Sequence, residues 1–199
     1  MLASASPRRR DLLAALLDSF EVRPADIPED AGDDPEEGAA RLAREKALAV
    51  AAAEPDAVII GSDTIVHDGT RSFGKPLDAN EAVAMWSALR GREHRVFTGV
   101  AVAARGGVAT LISESAGELA DLPDEAVAAY VASGRPLDKA GAYAIQDEDV
   151  PTVSAFSGCY CGVMGLPLWK TKTLLEWAGV SCRAPDSTYS RCATCPERP

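Results

Sequence analysis

The chain has 199 residues, of which 47% are hydrophobic, and a formal net charge of −10. This length can bury one good core or two small lobes that share a cleft. The acidic balance argues against general binding to DNA, RNA or anionic membranes, all of which need a basic surface. The sequence lacks a run of about 18 apolar residues, so we expect neither a transmembrane helix nor a secretory signal. The predicted protein is globular and cytoplasmic.

The first twelve-residue motif, LASASPRRRDLL, predicts the end of a buried strand followed by a helix. Residues 2–4 would end the strand, Ser6 would cap the helix, Pro7 would begin it, and residues 11–17 carry its apolar stripe. A helix start points free N–H groups at an anion, and three arginines follow it here. The motif therefore favours a phosphate chain as ligand. The alternative is an ordinary capped helix with a surface arginine run.

An acidic loop over residues 26–37 precedes a predicted Ala-rich helix over residues 35–53. Helical spacing places Lys46 on the apolar face of that helix. A lysine in this position either extends its ammonium to solvent or meets an anion. Glu29 lies in the acidic loop, where most carboxylates are simply solvated.

Residues 57–61 form a continuous apolar run that predicts a central strand buried on both faces. We expect this strand to end at Ser62, Asp63 and Thr64, where open α/β sheets bind ligands. A carboxylate there can hold Mg²⁺ or accept a proton from water. The alternatives are a turn-capping role for Asp63 and a turn position for Thr64. Residues 65–67 would continue the strand towards a turn.

The middle of the chain predicts a presented cation, a helix and a hairpin. Lys75 lies between Gly and Pro in FGKPLDAN, which is typical of a turn with the ammonium at its tip, although a plain surface turn fits equally. A helix over residues 80–89 follows, with Asn80 near its cap. Strands over residues 95–103 and 108–118 would pair through the turn at Gly106 and Gly107. Residues 124–132 predict a short helix.

The segment RPLDKAGAYAIQ combines polar side chains with small residues that let backbone approach a ligand. Asp138, Lys139 and Gln146 lie in it, and the Gln146 amide could recognise a base edge through paired hydrogen bonds. A satisfied surface amide is the alternative. We expect strands or extended pieces at residues 141–145, 152–156 and 161–164. Residues 168–178 predict the last helix, with Gly179 as its C-cap.

Residues 181–199 are polar and contain proline, and we treat them as a tail separate from residues 1–180. Cys192 and Cys195 have the spacing of a zinc knuckle, with Cys182 as a possible third ligand. The tail offers no fourth cysteine or histidine. Zinc or redox chemistry is thus an alternative to a loosely ordered tail.

Taken together, the motifs resemble the Maf family, also called septum formation inhibitor proteins. The resemblance runs in order from about residue 2 to residue 179. It rests on LASASPRRRDLL, a Glu nine residues after Phe20, REKA, IIGSDTIV, GKP, EHRVFTGVAV, YVASGRPLDKAGAYAIQ and MGLPL. It implies an elongated α/β fold in which helices flank a mixed twisted sheet and two lobes enclose a deep central cleft, as in Maf and ITPase-like proteins. The implied domain is a single two-lobed catalytic domain over residues 1–180.

The resemblance also implies an activity, namely cleavage of nucleoside triphosphates between the α and β phosphates. Asp63 corresponds to the proton acceptor of the family. The implied binding residues are Glu29, Lys46 and Lys75 for metal and phosphate, Ser6 and Arg9 for phosphate, and Lys139 for substrate. Arg8, Thr64 and Gln146 match the branch that hydrolyses dTTP and UTP. The implied cofactor is Mg²⁺ or Mn²⁺ at Asp63 and Glu29, and a homodimer is a possible assembly.

One departure from the family concerns the segment that usually reads YGIQG. Here Ala144 and Asp147 replace its two glycines. If either position requires a positive φ angle, the loop around Gln146 must adopt a different shape. The alternative function is a nucleotide-binding regulator of cell division or septum formation whose turnover is incidental.

Overall fold

The fold, seen in a computed structural model that describes residues 1–147 and 149–199, is built on a five-stranded sheet. The strands are β1 (Ile59–His67), β2 (Ser72–Phe73), β3 (Glu93–Ala104), β4 (Gly107–Leu119) and β5 (Val153–Ser157). They lie in the order β2-β1-β3-β4-β5, and each neighbouring pair is antiparallel. Isolated parallel bridges from Leu2 to Val22 and Ile60 add to the sheet near the chain start.

Helices cover this sheet, as expected for the predicted α/β class. They are α1 (Pro7–Ala14), α2 (Pro35–Ala51), α3 (Ala79–Leu89), α4 (Asp124–Ala132), α5 (Tyr160–Met164) and α6 (Leu168–Trp177). Short 3-10 helices occur at Arg135–Asp138, Ala140–Ala142, Pro185–Ser187 and Ser190–Thr194. No helix in the described part of the chain combines the length and hydropathy that a membrane crossing requires.

Helix α2 lies unusually close to the sheet because glycines in β1 and β3 face its small residues. A Cβ atom added at Gly61 would lie 2.2 Å from the carbonyl oxygen of Ala43, and one at Gly99 would lie 2.2 Å from that of Ala39. Side chains at these two positions would therefore push the helix away. The close contact brings Lys46, one turn along the same helix face, over the middle of β1.

Strand β1 is buried on both faces, as its apolar run predicts. Ile59 packs on the alanine face of α2, whereas Ile60 packs with residues of α1 and α6. Farther along the strand, Val66 packs with residues of α3 and α4. The cluster around α1 and α6 and the cluster around α3 and α4 both include residues of the long strands, and they form the cores of the two lobes.

Several predicted elements are confirmed. Strands β3 and β4 form the expected hairpin, closed where Ala104 pairs with Gly107. Helix α4 ends at Ala132 with Ser133 as its C-cap, followed by Gly134 with φ 75°. Helix α3 is present, but its N-cap is Asp78, whose carboxylate accepts a hydrogen bond from Glu81 N at 2.9 Å, and not Asn80.

Other predicted elements are wrong. Residues 161–164 belong to helix α5 and are not extended, because short apolar segments do not distinguish strand from buried helix. Leu2 forms isolated bridges, and residues 2–4 belong to no named strand. Gly141 lies in a 3-10 helix with φ 70°. Asp63 does not follow the strand: β1 continues to His67, and Asp63 pairs with Gly99 in mid-sheet.

The tail packs on the lobe formed by α1 and α6, in contrast to the loosely ordered segment that its composition suggests. Cys192 and Cys195 are buried in the same apolar cluster as both helices. Trp169 donates its indole N–H to the Cys192 carbonyl at 2.9 Å. Arg183 bonds to the Asp18 carboxylate and to carbonyls at the end of α1. These contacts attach the tail firmly to the fold.

Candidate active site

A cavity of about 360 Å³ lies between the two lobes. Its walls come from the start of α1, from α2, from β1, from the turn after β2 and from the loop at residues 138–146. The ten side chains singled out from the sequence all line it: Ser6, Arg8, Arg9, Glu29, Lys46, Asp63, Thr64, Lys75, Lys139 and Gln146. The fold therefore brings together residues spread over most of the chain.

The centre of this cavity holds a lysine between two carboxylates. Lys46 Nζ lies 2.5 Å from Asp63 Oδ1 and 2.6 Å from Glu29 Oε1. Lys46 is only 5% exposed and Asp63 only 8%, whereas the Glu29 side chain is half exposed. The sequence left open whether the Lys46 ammonium extends to solvent or contacts an anion. In the structure it contacts two carboxylates. Charged hydrogen bonds of this kind are short and fix the orientation of all three groups.

Glu29 is electrostatically tied to the site although it comes from the acidic loop. Partial burial alone would raise its pKa, but the hydrogen bond and charge of Lys46, with the charges of Lys75 and Arg9, hold the pKa below its ordinary value of 4.5. Glu29 therefore faces a positive environment, unlike the solvated carboxylates around it.

Arg9 forms a second polar cluster beside the first. Its guanidinium donates to the Gly165 carbonyl at 2.9 Å, to Ser4 Oγ at 3.2 Å and to Thr64 Oγ1 at 3.2 Å. Burial lowers the pKa of Arg9, and the nearby charge of Asp63 opposes this effect. A guanidinium remains charged even so, hence this partly buried cation can pair with an anionic ligand.

The start of α1 is capped as the sequence predicts. Ser6 Oγ accepts a hydrogen bond from Arg9 N at 3.5 Å, and Pro7 is the first helical residue. The cap is long, so this hydroxyl is only weakly engaged. Ser6 is thus positioned at the cavity wall beside Arg8 and Arg9.

The far end of the cavity is formed by the loop after α4. Arg8 donates to Asp138 Oδ2 at 2.9 Å and to the Asp138 carbonyl at 3.3 Å. Lys139 Nζ donates to the other carboxylate oxygen at 2.7 Å. Although partial burial raises the pKa of Asp138, the hydrogen bond from Lys139 and the charges of Lys139 and Arg8 lower it overall. Asp138 thus holds two cations that would otherwise repel each other.

Gln146 lies in a turn whose ends are bonded to the rest of the lobe. Asp147 N donates to the Ala144 carbonyl at 3.2 Å, and Thr152 Oγ1 donates to the same oxygen at 2.7 Å. Tyr130 on α4 donates its hydroxyl to Asp147 Oδ2 at 2.6 Å. The turn presents the Gln146 side chain to the cavity without a strained backbone.

The two positions that lack the usual glycine are therefore compatible with the loop. Neither Ala144 nor Asp147 has a positive φ, and the one described non-glycine residue that does is Ala142, at φ 56°. Asp147 also gains a partner in Tyr130 that glycine would not offer. The substitution changes the loop's anchoring and imposes no left-handed strain at those positions.

Lys75 lies at the cavity mouth and is exposed. Within the described residues it forms no salt bridge. Its charge reaches the interior, since it contributes to the lowered pKa of Glu29. The turn that carries it leaves this ammonium available to a ligand that enters the cavity.

Sequence reasoning missed residues that support this site. Ser4 orients Arg9, because its hydroxyl accepts a hydrogen bond from the guanidinium. Thr98 orients Thr64, because Thr98 Oγ1 donates to Thr64 Oγ1 at 3.1 Å. Ser62 Oγ lies 2.8 Å from the carbonyls of both Gly99 and Gly165. Small hydroxyl residues in apolar strands were the available signal, since a buried hydroxyl needs a partner.

The donor set at the cavity centre is suited to a hard divalent cation. Glu29 and Asp63 supply carboxylate oxygens, which Mg²⁺ and Mn²⁺ prefer together with the oxygens of a bound phosphate. Lys46 already demonstrates that both carboxylates can direct oxygens at one positive charge. At the cavity centre, these two side chains are therefore suited to hold such an ion.

Comparison with known proteins identifies the family of the chain. The family model described as "Maf-like protein" matches residues 1–178. The chain belongs to the Maf-like protein family. A Maf-like relative from Thermomicrobium roseum, named dTTP/UTP pyrophosphatase, is 45% identical over 205 residues that cover 100% of this chain and 94% of the relative.

Two further Maf-like relatives carry the same name. The protein of Xanthomonas euvesicatoria pv. vesicatoria is 47% identical, with 89% of this chain and 97% of the relative covered. That of Myxococcus xanthus is 48% identical, with 90% and 92% covered. A solved nucleoside-triphosphatase / dITP/XTP pyrophosphatase from Mycobacterium abscessus is 17% identical, with 61% of this chain and 74% of that chain covered, and its TM-score of 0.40 is too low to support an argument.

Proposed function

We propose that this Maf-like chain is a nucleoside triphosphate pyrophosphatase that hydrolyses dTTP and UTP to the monophosphate and pyrophosphate. The observation that carries the proposal is the triad of buried Asp63, buried Lys46 and half-exposed Glu29 in a cavity that Arg9 also lines. The shared name of the relatives supports the same substrates. Such an enzyme would remove these nucleotides, or modified pyrimidine triphosphates, from the cellular pool.

Binding of the triphosphate is the first task of these residues. A triphosphate carries three to four negative charges, so transfer at phosphorus depends mainly on positioning and charge neutralisation. Lys46 supplies a buried cation, Arg9 a partly buried one, and Lys75 an exposed one at the mouth. Ser6 and the start of α1 add hydrogen-bond donors. Together they orient the phosphate chain towards Asp63.

The reaction itself requires a water molecule directed at the α-phosphorus. We assign the proton acceptor to Asp63, whose carboxylate is held in place by Lys46 at 2.5 Å. Water forms the new bond to the α-phosphorus, the bond from that phosphorus to the bridging oxygen breaks, and pyrophosphate leaves with the bond electrons. The proton of the water passes to Asp63 and then to solvent.

The proposed cofactor is Mg²⁺ or Mn²⁺, held by Asp63 and Glu29. When bound, the ion would neutralise phosphate charge in the transition state. Lys46 then remains beside both carboxylates and limits their mutual repulsion. The base end of the substrate would reach Arg8, Thr64 and Gln146, which line the same cavity, with Lys139 beside them.

We place this activity in the cytoplasm, where the five free cysteines of the chain would remain reduced. The alternative of a binding regulator whose turnover is incidental is not favoured. Binding alone does not need a carboxylate fixed by a buried lysine, and the curated relatives are named as enzymes.

The experiment is pyrophosphate release from dTTP, UTP, CTP, GTP and 7-methyl-GTP, with Mg²⁺ or Mn²⁺, by the wild-type chain and by Asp63→Asn. We expect selective turnover of dTTP and UTP and a loss of about 10² to 10³ in kcat for the variant. Asp56→Asn is the matched control, because Asp56 is an exposed surface carboxylate whose partner is Arg105.

Two results would contradict the proposal. If the chain turned over none of the triphosphates, it would not be a pyrophosphatase. The nucleotide-binding regulator of cell division would then be the favoured function. Equal turnover by Asp63→Asn and wild type would remove Asp63 from the reaction. Circular dichroism of each variant checks that its fold is retained.

A further inference from the structure

A second cluster of possible ligands lies outside the nucleotide cavity, where the tail meets α5. Cys159, Cys195 and Glu197 place two sulfurs and a carboxylate oxygen within 4.8 Å of one another. This is the one group of three or more potential metal ligands from His, Cys, Asp and Glu in the described parts of the chain. It differs from the expected knuckle, because Cys182 is outside it and Cys159 comes from the catalytic domain.

The carboxylate in this cluster is buried without enough partners. The Glu197 side chain is 12% exposed, and its Oε1 lies 3.0 Å from Lys170 Nζ. Its other oxygen, Oε2, is fully buried and has no hydrogen-bond partner among the described residues. An unpaired buried carboxylate oxygen is costly unless a cation satisfies it. The two neighbouring sulfurs are the atoms that a thiophilic cation would also contact.

We propose that Cys159, Cys195 and Glu197 bind a structural zinc ion. Zinc accepts both thiolate and carboxylate ligands in tetrahedral sites. Its Zn–S bonds of about 2.3 Å place two sulfurs about 3.8 Å apart, which agrees with a cluster no wider than 4.8 Å. The two thiolates and the carboxylate together carry one more negative charge than the zinc ion carries positive charges. The ammonium of Lys170, which is paired with Glu197, balances this excess.

The surroundings of the cluster resemble those of a metal site. Gly162 N lies 3.3 Å from Cys159 Sγ and donates to it, which fixes the direction of that sulfur. Cys161 lies outside the cluster, and its sulfur lies 3.6 Å from that of Cys192. We assign the fourth position to a water molecule, which leaves the charge balance with Lys170 unchanged.

The proposed ion would join the tail to the segment that supports the phosphate site. Helix α5 follows Cys159 directly, and Gly165 after it accepts hydrogen bonds from Arg9 and Ser62. Zinc binding at Cys195 and Glu197 would therefore fix the tail to the same wall of the fold. The ion would act on stability and would be separate from the Mg²⁺ or Mn²⁺ of the proposed reaction.

The test is the metal content of the full chain, expressed with zinc and purified without chelator or metal-affinity resin. Inductively coupled plasma mass spectrometry should find about one zinc per chain in the wild type. Cys159→Ser, Cys195→Ser and Glu197→Gln should lose it to background. Cys182→Ser is the matched control and should keep it, since this thiol lies outside the cluster. The readout does not depend on nucleotide turnover.

A second measurement keeps the test decisive if a variant fails to fold. Wild-type chain stripped of metal is titrated with Co²⁺, and a thiolate-to-cobalt absorption band that zinc then abolishes is the expected result. A wild type without zinc and without this band overturns the proposal. So does retention of zinc by Cys159→Ser and Cys195→Ser, or an intact mass two hydrogens short, which would indicate a disulfide instead.

Discussion

The two ends of the nucleotide cavity are built in different ways. At the phosphate end, Lys46 and Asp63 are buried and Arg9 is partly buried, and their bonds link α1, α2 and β1. At the base end, the half-exposed carboxylate of Asp138 holds Arg8 and Lys139, and Gln146 lies in a turn. The phosphate end is fixed by the packing of the sheet. The base end is fixed by contacts within one loop and α4, together with the long-range bond from Arg8 of α1 to Asp138.

This difference separates the requirements of reaction and of recognition. Phosphoryl chemistry needs charges held in place before the substrate arrives, because reorganisation of a buried charge is costly. Base recognition needs only a few hydrogen bonds at a surface that can vary. Replacement of two glycines by Ala144 and Asp147 falls at the base end, where neither of these two positions has a left-handed backbone. We therefore expect substitutions at the two ends to differ strongly in effect.

The largest effect should follow from removal of the central cation. Lys46→Gln leaves Asp63 and Glu29 facing each other without their shared partner. We expect kcat for dTTP to fall about 10²- to 10³-fold and the free energy of unfolding to fall by up to about 3 kcal/mol. Steady-state kinetics and urea unfolding measure both quantities.

The matched control for this change is Arg44→Gln on the exposed face of the same helix. Its effect on kcat should be less than about twofold, because surface charges contribute little. If Lys46→Gln and Arg44→Gln change kcat and the free energy of unfolding equally, the phosphate end tolerates substitution as well as the surface does. The proposed difference between the two ends of the cavity would then be contradicted.

A smaller effect is expected from acid, and it should act on the wall of the base end. His94 is buried against Tyr143, with 2.7 Å between His94 Nε2 and the Tyr143 hydroxyl, and burial lowers its pKa from 6.5 to about 4. Between these values the unfolded chain binds a proton that the folded chain does not. Stability should therefore fall as the pH decreases from about 6.5 to about 4, by at most about 3 kcal/mol.

Urea unfolding between pH 7 and pH 4 checks this slope. His94→Gln keeps a hydrogen-bonding side chain but does not titrate, so its stability should depend less on pH than that of the wild type. His67→Gln changes the other histidine, which lies on β1 and is not fully buried. A slope that disappears in the His67 variant and persists in the His94 variant would contradict the assignment.

The smallest effect should come from the base end itself. Gln146→Glu replaces the amide donor with a carboxylate in a turn that keeps its backbone bonds. We expect kcat/KM for dTTP and UTP to fall about tenfold, equal to about 1.4 kcal/mol, mostly through KM. Asn80→Asp on the exposed start of α3 adds the same charge and should leave kcat/KM unchanged. A loss confined to kcat would place Gln146 in the reaction.

The alternation of elements, the buried central strand and the capped start of α1 were all predictable, because short-range signals encode them. The cap at Ser6 and the helix start at Pro7 depend only on residues a few positions away. The same is true of the apolar periodicity that predicts each helix or strand. The same local reasoning placed Lys46 on an apolar face but left its partner open. It placed Asp63 at the end of the buried run, although it expected residues 65–67 to continue the strand, because polar residues in a strand resemble a strand end when the cavity beside them is unknown.

The sequence by itself determined the helix starts, the hairpin and the residues with suitable chemistry for a phosphate cavity. Only the tertiary structure decided that Lys46 bonds both Asp63 and Glu29, that Asp138 holds Arg8, and that the tail returns to Cys159. The reason is physical. Caps and periodicity depend on neighbouring residues, whereas these contacts join residues up to 130 positions apart and depend on how closely the helices pack on the sheet.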